Sequence, residues 1–319
     1  MRRKNYPIHP DFAPLAKLNP PLNRTILPVM QKSMGALWSM EKSGDGVIVT
    51  KVEIPLDQKH SMRALLYSPE GCSGTLPCLI YYHGGGFVFN AAPYHFLNAR
   101  EYCRGAKCRV LFVDYRLAPA HIFPTAVDDA FAACRWAQMN CEDLGIDFNR
   151  IAVGGDSAGG NLAAAVCFMA KNYGAALPCA QLLMYPAVGS REVTGSVEEF
   201  TDTPMCNSRD MEKYSQFYNP HKEELSPEER IYSAPGEAES LAGLPPAYVE
   251  TAEFDCLRDE GILYAKRLEE EGIYVTLHET KGTIHGYDFM SKSPIVQDSL
   301  QRRIAFLRRI FRGIRDENN

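Results

Sequence analysis

One serine sits in a setting that could make it a nucleophile. Gly155-Asp156-Ser157-Ala158-Gly159 follows the apolar run Ile151-Ala152-Val153 and precedes the helical Asn161-Leu162-Ala163-Ala164-Ala165. A strand, a sharp turn and a helix in that order present a hydroxyl at a helix N-terminus, as in a nucleophile elbow. The turn crowds its neighbours, so small residues are needed two positions either side of the serine, the places held by Gly155 and Gly159. Gly154 to Gly160 is also rich enough in glycine to cradle a phosphate, but no Gly-Lys-Ser/Thr follows, and the Walker reading fails.

Upstream, His83-Gly84-Gly85-Gly86 follows the strand-like Cys78-Leu79-Ile80-Tyr81-Tyr82. Three successive glycines leave backbone N–H groups unshielded, which is what binding the oxyanion of a tetrahedral intermediate demands. Ala158, directly after the serine, supplies the complementary N–H. Gly84, Gly85, Gly86 and Ala158 are therefore the expected oxyanion-hole positions, with the middle glycine and one neighbour as donors. Taken together, the two motifs point to acyl transfer through a serine.

On these segments the chain resembles the hormone-sensitive lipase family of α/β-hydrolases, whose bacterial members are carboxylesterases. The matching segments are Tyr82-His83-Gly84-Gly85-Gly86-Phe87, Val113-Asp114-Tyr115-Arg116-Leu117-Ala118-Pro119, Gly155 to Ala163, Asp255-Cys256-Leu257-Arg258-Asp259-Glu260-Gly261 and His285-Gly286-Tyr287. They run from about residue 80 to 290 in the family's order. Two positions depart from its pattern: Ala120 stands where Glu is usual, and Cys256 stands where Pro usually follows the triad aspartate. The resemblance implies a triad in the order serine, aspartate, histidine, hence Ser157, Asp255 and His285. Asp255 falls between the run Ala247 to Ala252 and the helix beginning at Leu257, and His285 falls in the loop Gly282 to Gly286. Asp259, Glu253 and Asp288 are rival carboxylates. His83 is expected to shape its loop rather than act as a base, and Asp114 with Arg116 to form a structural pair, since a buried unpaired charge is costly.

The elements that must position these residues alternate short apolar runs with longer helix-period segments, the mark of a mainly parallel sheet covered on both faces. Strands are expected near Val47–Ile54, Met62–Tyr67, Cys78–Tyr82, Cys108–Asp114, Ile151–Gly154, Ala180–Tyr185, Ala247–Thr251 and Tyr274–His278. The first two are joined by too few residues for a helical crossover and should pair antiparallel; Thr125–Asn140 and Leu162–Lys171 read as crossover helices. The expected fold is an α/β-hydrolase with an eight-stranded, mostly parallel sheet, its core formed by residues 46–187 and 241–319. Residues 1–45, carrying Met30, Met34, Leu37 and Trp38 at helical spacing, and residues 188–240, with a helix near Arg209–Tyr218, are expected to form a cap over the carboxyl edge of the sheet. Ile304, Leu307, Phe311 and Ile314 make the apolar stripe of a last covering helix.

Composition excludes other classes. Among 319 residues, 34 basic and 39 acidic side chains give a formal net charge of −5, which offers no footprint for nucleic acid. No run approaches the roughly 18 apolar residues of a membrane span, and the basic start Met1-Arg2-Arg3-Lys4 has no apolar stretch behind it, so a cytoplasmic location is expected. Ten cysteines are scattered without a Cys-x-x-Cys pair, which reads as buried free thiols in a reduced compartment. No metal or organic cofactor is implied. The expected partner is a small-molecule ester, and a homodimer is compatible with this reading.

The resulting expectation is a serine carboxylesterase for short to medium acyl esters, roughly four to eight carbons, working through an acyl-enzyme. Met34, Leu37, Trp38, Met205, Tyr214, Phe217 and Tyr218 are the expected pocket residues. An amide or peptide deacylase would use the same triad. A non-catalytic small-molecule receptor of the same fold is the other alternative, and His285 argues against it because the family's receptors lack its equivalent.

Overall fold

A computed structural model describes residues 4–18 and 22–313. The opening Met1-Arg2-Arg3 and Ile314 of the expected C-terminal stripe lie outside the described residues. Eight strands form one sheet: β1 (Val47–Pro55), β2 (Ser61–Pro69), β3 (Leu76–Tyr82), β4 (Arg109–Val113), β5 (Ile146–Asp156), β6 (Gln181–Met184), β7 (Ala247–Thr251) and β8 (Val275–Glu279). Their order is β1-β2-β4-β3-β5-β6-β7-β8. β1 and β2 form an antiparallel hairpin and β2 pairs antiparallel with β4, while every later pairing is parallel. The expected eight-stranded α/β-hydrolase sheet is present. β5 starts at Ile146, earlier than expected, because Ile146 pairs with Leu76 ahead of an irregularity in the β3–β5 ladder.

Ten helices accompany the sheet among the described residues: α1 (Leu27–Met40), α2 (Pro93–Ala106), α3 (Thr125–Met139), α4 (Cys141–Leu144), α5 (Ala158–Asn172), α6 (Gly195–Glu199), α7 (Ser208–Tyr218), α8 (Pro227–Ser233), α9 (Arg258–Glu270) and α10 (Pro294–Phe311). The period of two along a strand divides the core between the faces of the sheet. Cys78, Ile80 and Tyr82 of β3 join the cluster that α3, α5 and α9 cover, and Leu79 and Tyr81 join the one under α2 and α10. Ile304, Leu307 and Phe311 of the C-terminal stripe are buried in that second cluster. Central strands are apolar on both faces because both are covered. No helix among the described residues is long and apolar enough to cross a membrane.

The charged pair expected at the end of β4 is corrected by the structure. Asp114 binds Arg63 of β2 at 2.6 Å and Arg116 binds Asp129 of α3 at 2.6 Å. The antiparallel β2–β4 register brings Arg63 beside Asp114, whose N–H donates to the Arg63 carbonyl, and Asp129, buried on the inner side of α3, needs a countercharge that Arg116 provides.

Candidate active site

Ser157 occupies the single residue between the end of β5 and the start of α5, with φ 54° and ψ −118°. Positive φ in a residue with a side chain costs on the order of 1–3 kcal/mol and persists only where the surroundings over-determine it. Here they do. A Cβ on Gly155 would lie 2.4 Å from the Tyr82 carbonyl oxygen, and one on Gly159 would lie 2.0 Å from the same atom. Both glycines are required for α5 to pack this close to β3, and the hydroxyl is left at the sheet's carboxyl edge.

Asp255 and His285 meet because the loops after β7 and β8 run side by side. Phe254 and Ile284 form an isolated parallel bridge, the Gly282 N–H donates to Glu253 Oε2 at 2.6 Å, and the Glu253 N–H donates to Thr283 Oγ1 at 3.1 Å. This zipper sets His285 Nδ1 2.7 Å from Asp255 Oδ2, while His285 Nε2 lies 2.8 Å from Ser157 Oγ. Asp255 is fully buried, and its other oxygen accepts the Leu257 N–H at 3.0 Å. Nδ1 faces a carboxylate and carries the proton, which leaves Nε2 to accept from the serine. Burial pulls the imidazole's pKa down, but the Asp255 charge and hydrogen bond outweigh it and hold it up at about 9. The rival carboxylates are engaged elsewhere: Glu253 in the zipper, Asp259 with Arg258 and the Ser196 N–H, and Asp288 with Arg303 and Tyr185.

The glycine loop rests on a residue the motif leaves unspecified. Asp156 is fully buried, accepts from the Tyr81 hydroxyl at 3.0 Å and the Tyr94 hydroxyl at 2.8 Å, and faces His95 Nε2 at 3.1 Å. Nε2 carries its proton toward that carboxylate, so the Gly84 N–H goes to Asp156 Oδ1 at 3.2 Å. Burial pushes the Asp156 carboxyl up, but His95 and the two hydroxyls more than offset it and hold it well below the carboxylate range. The Gly84 amide is therefore occupied, and Gly84 does not fit the donor role expected of it. Among the described residues no protein group accepts from the N–H of Gly85, Gly86 or Ala158. His83 lies beneath the loop: its Nδ1–H donates to the Gly84 carbonyl at 2.7 Å, its ring stacks on Tyr115, and burial lowers its pKa to about 3.

Ser157 and His285 open on a cavity of about 470 Å³, inside the range of small-molecule sites. Of the expected pocket residues, Met34, Met205, Tyr214 and Tyr218 line it. Leu37, Trp38 and Phe217 do not. Trp38 donates from Nε1 to Asn90 at 2.7 Å and stacks on Phe112, Leu37 packs against the cluster under α2 and α10, and Phe217 lies under the Arg24 guanidinium. An α-helix shows one face to the cavity, and these three point away from it. Met30, placed in the cap but not among the expected pocket residues, also lines the cavity, as do Phe89, Glu260 and Cys206, which were not singled out. Met30 falls one turn ahead of Met34 and could have been found from that spacing, whereas Glu260 and Cys206 carried no signal. Glu260 accepts the Gly189 N–H at 2.9 Å, and burial raises its carboxyl to about 8.

Comparison with known proteins agrees with the fold. A family model described as alpha/beta hydrolase fold matches residues 79–289. The chain is 37% identical over 251 residues to Esterase LipI of Mycobacterium tuberculosis, covering 78% of each chain. It is 38% identical over 247 residues to Carboxylesterase NlhH of the same organism, covering 76% of this chain and 77% of that one. Among solved structures, Bacterial Heroin Esterase superposes with a TM-score of 0.84 at 34% identity, covering 96% of this chain and 98% of that one.

Proposed function

The chain belongs to the α/β-hydrolase family, in its hormone-sensitive lipase-like branch, and is a carboxylic ester hydrolase; from that premise we propose that it cleaves short to medium acyl esters through Ser157, His285 and Asp255. Ser157 Oγ attacks the ester carbonyl as its proton passes to His285 Nε2. Asp255 holds the imidazole in the tautomer that accepts it and stabilises the imidazolium that forms. The carbonyl oxygen becomes an oxyanion within reach of the free N–H groups of Gly85, Gly86 and Ala158. Collapse expels the alcohol, protonated by His285, and leaves an acyl group on Ser157. Water, deprotonated by the same imidazole, releases the acid.

The observation that carries this reading is the unbroken contact from Asp255 Oδ2 to His285 at 2.7 Å and from His285 to Ser157 Oγ at 2.8 Å, at the floor of a cavity lined by methionine and aromatic side chains. The cavity is finite, which supports acyl chains of roughly four to eight carbons: each buried methylene contributes about 0.8 kcal/mol until the space is full. Turnover of aryl esters of graded acyl length, with Ser157→Ala as control, tests it. The variant should lose on the order of 10⁴-fold or more in kcat and remain folded. A variant that turns over near the parental rate would refute the mechanism.

A further inference from the structure

Two cysteines that this chemistry does not use stand beside the acid of the triad. Cys206, in the segment between α6 and α7, lines the catalytic cavity, and Cys256, directly after Asp255, is fully buried behind it. Their sulfurs are 3.8 Å apart, and a carboxylate oxygen of Asp255 lies within 4.8 Å of both. Both backbones are held: Thr203 Oγ1 donates to the Cys206 carbonyl at 2.6 Å, and Ser196 Oγ donates to the Cys256 carbonyl at 2.9 Å. The two sulfurs thus face each other at van der Waals contact, with one partner reachable from the cavity.

We infer that Cys206 and Cys256 form a dithiol modification site, closed to a disulfide by a peroxide small enough to enter the catalytic cavity, and that closure lowers ester turnover reversibly. Cys206 is oxidised first: its sulfur takes an oxygen as the peroxide O–O bond breaks, giving a sulfenic acid and one water. The Cys256 sulfur then displaces that oxygen, which leaves as a second water with the Cys256 proton. In sum, two thiols and one hydrogen peroxide give one disulfide and two waters. A disulfide needs its sulfurs about 2.05 Å apart, so the pair must close by roughly 1.8 Å beside the residue that orients His285. A displacement of about 1 Å at reacting groups can cost on the order of 10²-fold in rate. The effect on turnover rests on the reading of Asp255 as the triad acid; the formation of the bond does not.

The test treats the full-length protein with hydrogen peroxide, maps its peptides by mass spectrometry without reduction, and measures turnover of an aryl butyrate before treatment, after it, and after a thiol reductant. The expected result is a linked Cys206–Cys256 peptide two hydrogen masses lighter than the free pair, a fall in kcat of about tenfold or more, and recovery with the reductant. Cys206→Ser and Cys256→Ser, each compared with its own untreated activity, should lose this reversible fall. Absence of the linked peptide overturns the inference, as does a linked peptide with unchanged turnover, or an equal fall in both variants. The mapping and the recovery need only the parental protein, so a variant that fails to fold leaves the test intact. A Ser157→Ala control that still turned over would point instead to failure of the underlying mechanism.

Discussion

Asp156 Oδ1 accepts the backbone N–H of Gly84 at 3.2 Å, so the residue just ahead of Ser157 anchors the first glycine of the opposite loop. Among the described residues, the next two amides of that loop have no protein partner. A Cβ on Gly84 would stand 2.3 Å from Asp156 Oδ2, and the contact therefore admits glycine alone. Serine turn and glycine loop come from different strands, and this buried carboxylate locks their spacing.

Asp156→Asn should loosen that lock. The amide cannot accept at both of its atoms from two tyrosine hydroxyls, His95 and Gly84, so about 1–3 kcal/mol of buried hydrogen bonding is lost. The expected outcome is a fall in kcat of about 10- to 100-fold with KM changed far less, because in the proposed mechanism the glycine amides act on the oxyanion and not on the bound ester. Steady-state kinetics on one aryl ester separate the two, and a pure KM effect would contradict this role.

Activity should fall on acidification. The proposed mechanism needs neutral His285, and Asp255 raises its pKa, so the base would be lost as pH falls through a value above the reference of about 6.5 and no higher than about 9. Asp255→Asn removes the charge that raises it while burial remains, and the midpoint should move to lower pH. The same change should cost on the order of 10³- to 10⁴-fold in kcat through the lost tautomer. Profiles of kcat/KM against pH for both proteins check this, and a midpoint that stays in place would show that Asp255 does not set it.

Acyl-length preference should respond to Tyr214. Its ring presses on the glycine loop, where a Cβ on Gly86 would lie 2.2 Å from it, and it forms part of the cavity wall. Tyr214→Ala opens that wall, and the preferred acyl chain should lengthen by about two methylenes or more, each contributing about 0.8 kcal/mol when buried. Measured kcat/KM for butyrate, hexanoate, octanoate and decanoate aryl esters reports the shift; an unchanged optimum would place the acyl chain elsewhere in the cavity.

Arg303 of α10 is fully buried and binds both Glu250 of β7 and Asp288, the latter at 2.7 Å. Burial pushes the Glu250 carboxyl up, but the Arg303 charge outweighs it and holds it down at about 2. A folded value below the unfolded one of about 4.3 means that this stability is present above that pH and is lost as pH falls toward about 2. Arg303→Met strands two buried carboxylates and should cost about 3–5 kcal/mol at neutral pH. Urea unfolding from pH 7 to pH 4 should show the gap between the proteins narrowing, since Glu250 in the variant takes up its proton more readily.

Much of this protein is legible in its sequence because its strongest constraints are local. The turn around Ser157 needs glycine at positions 155 and 159 whatever surrounds it, successive glycines expose amides wherever they stand, and a strand buried on both faces must be an unbroken apolar run. These requirements fall within a few neighbouring residues, so all eight strands, the hairpin of β1 and β2, and the elbow can be read directly. What only the tertiary structure decided are the pairings between distant segments. Strand order and the zipper between the β7 and β8 loops bring His285 to Asp255, which the family resemblance had implied, and leave Glu253, Asp259 and Asp288 with other partners. They give Arg116 to Asp129 and Asp114 to Arg63, occupy the amide of Gly84, turn Leu37, Trp38 and Phe217 away from the cavity, and bring Cys206 to Cys256. Which charge, amide or thiol a residue meets depends on register and helix rotation across the fold, and neither is encoded by the residues immediately beside it.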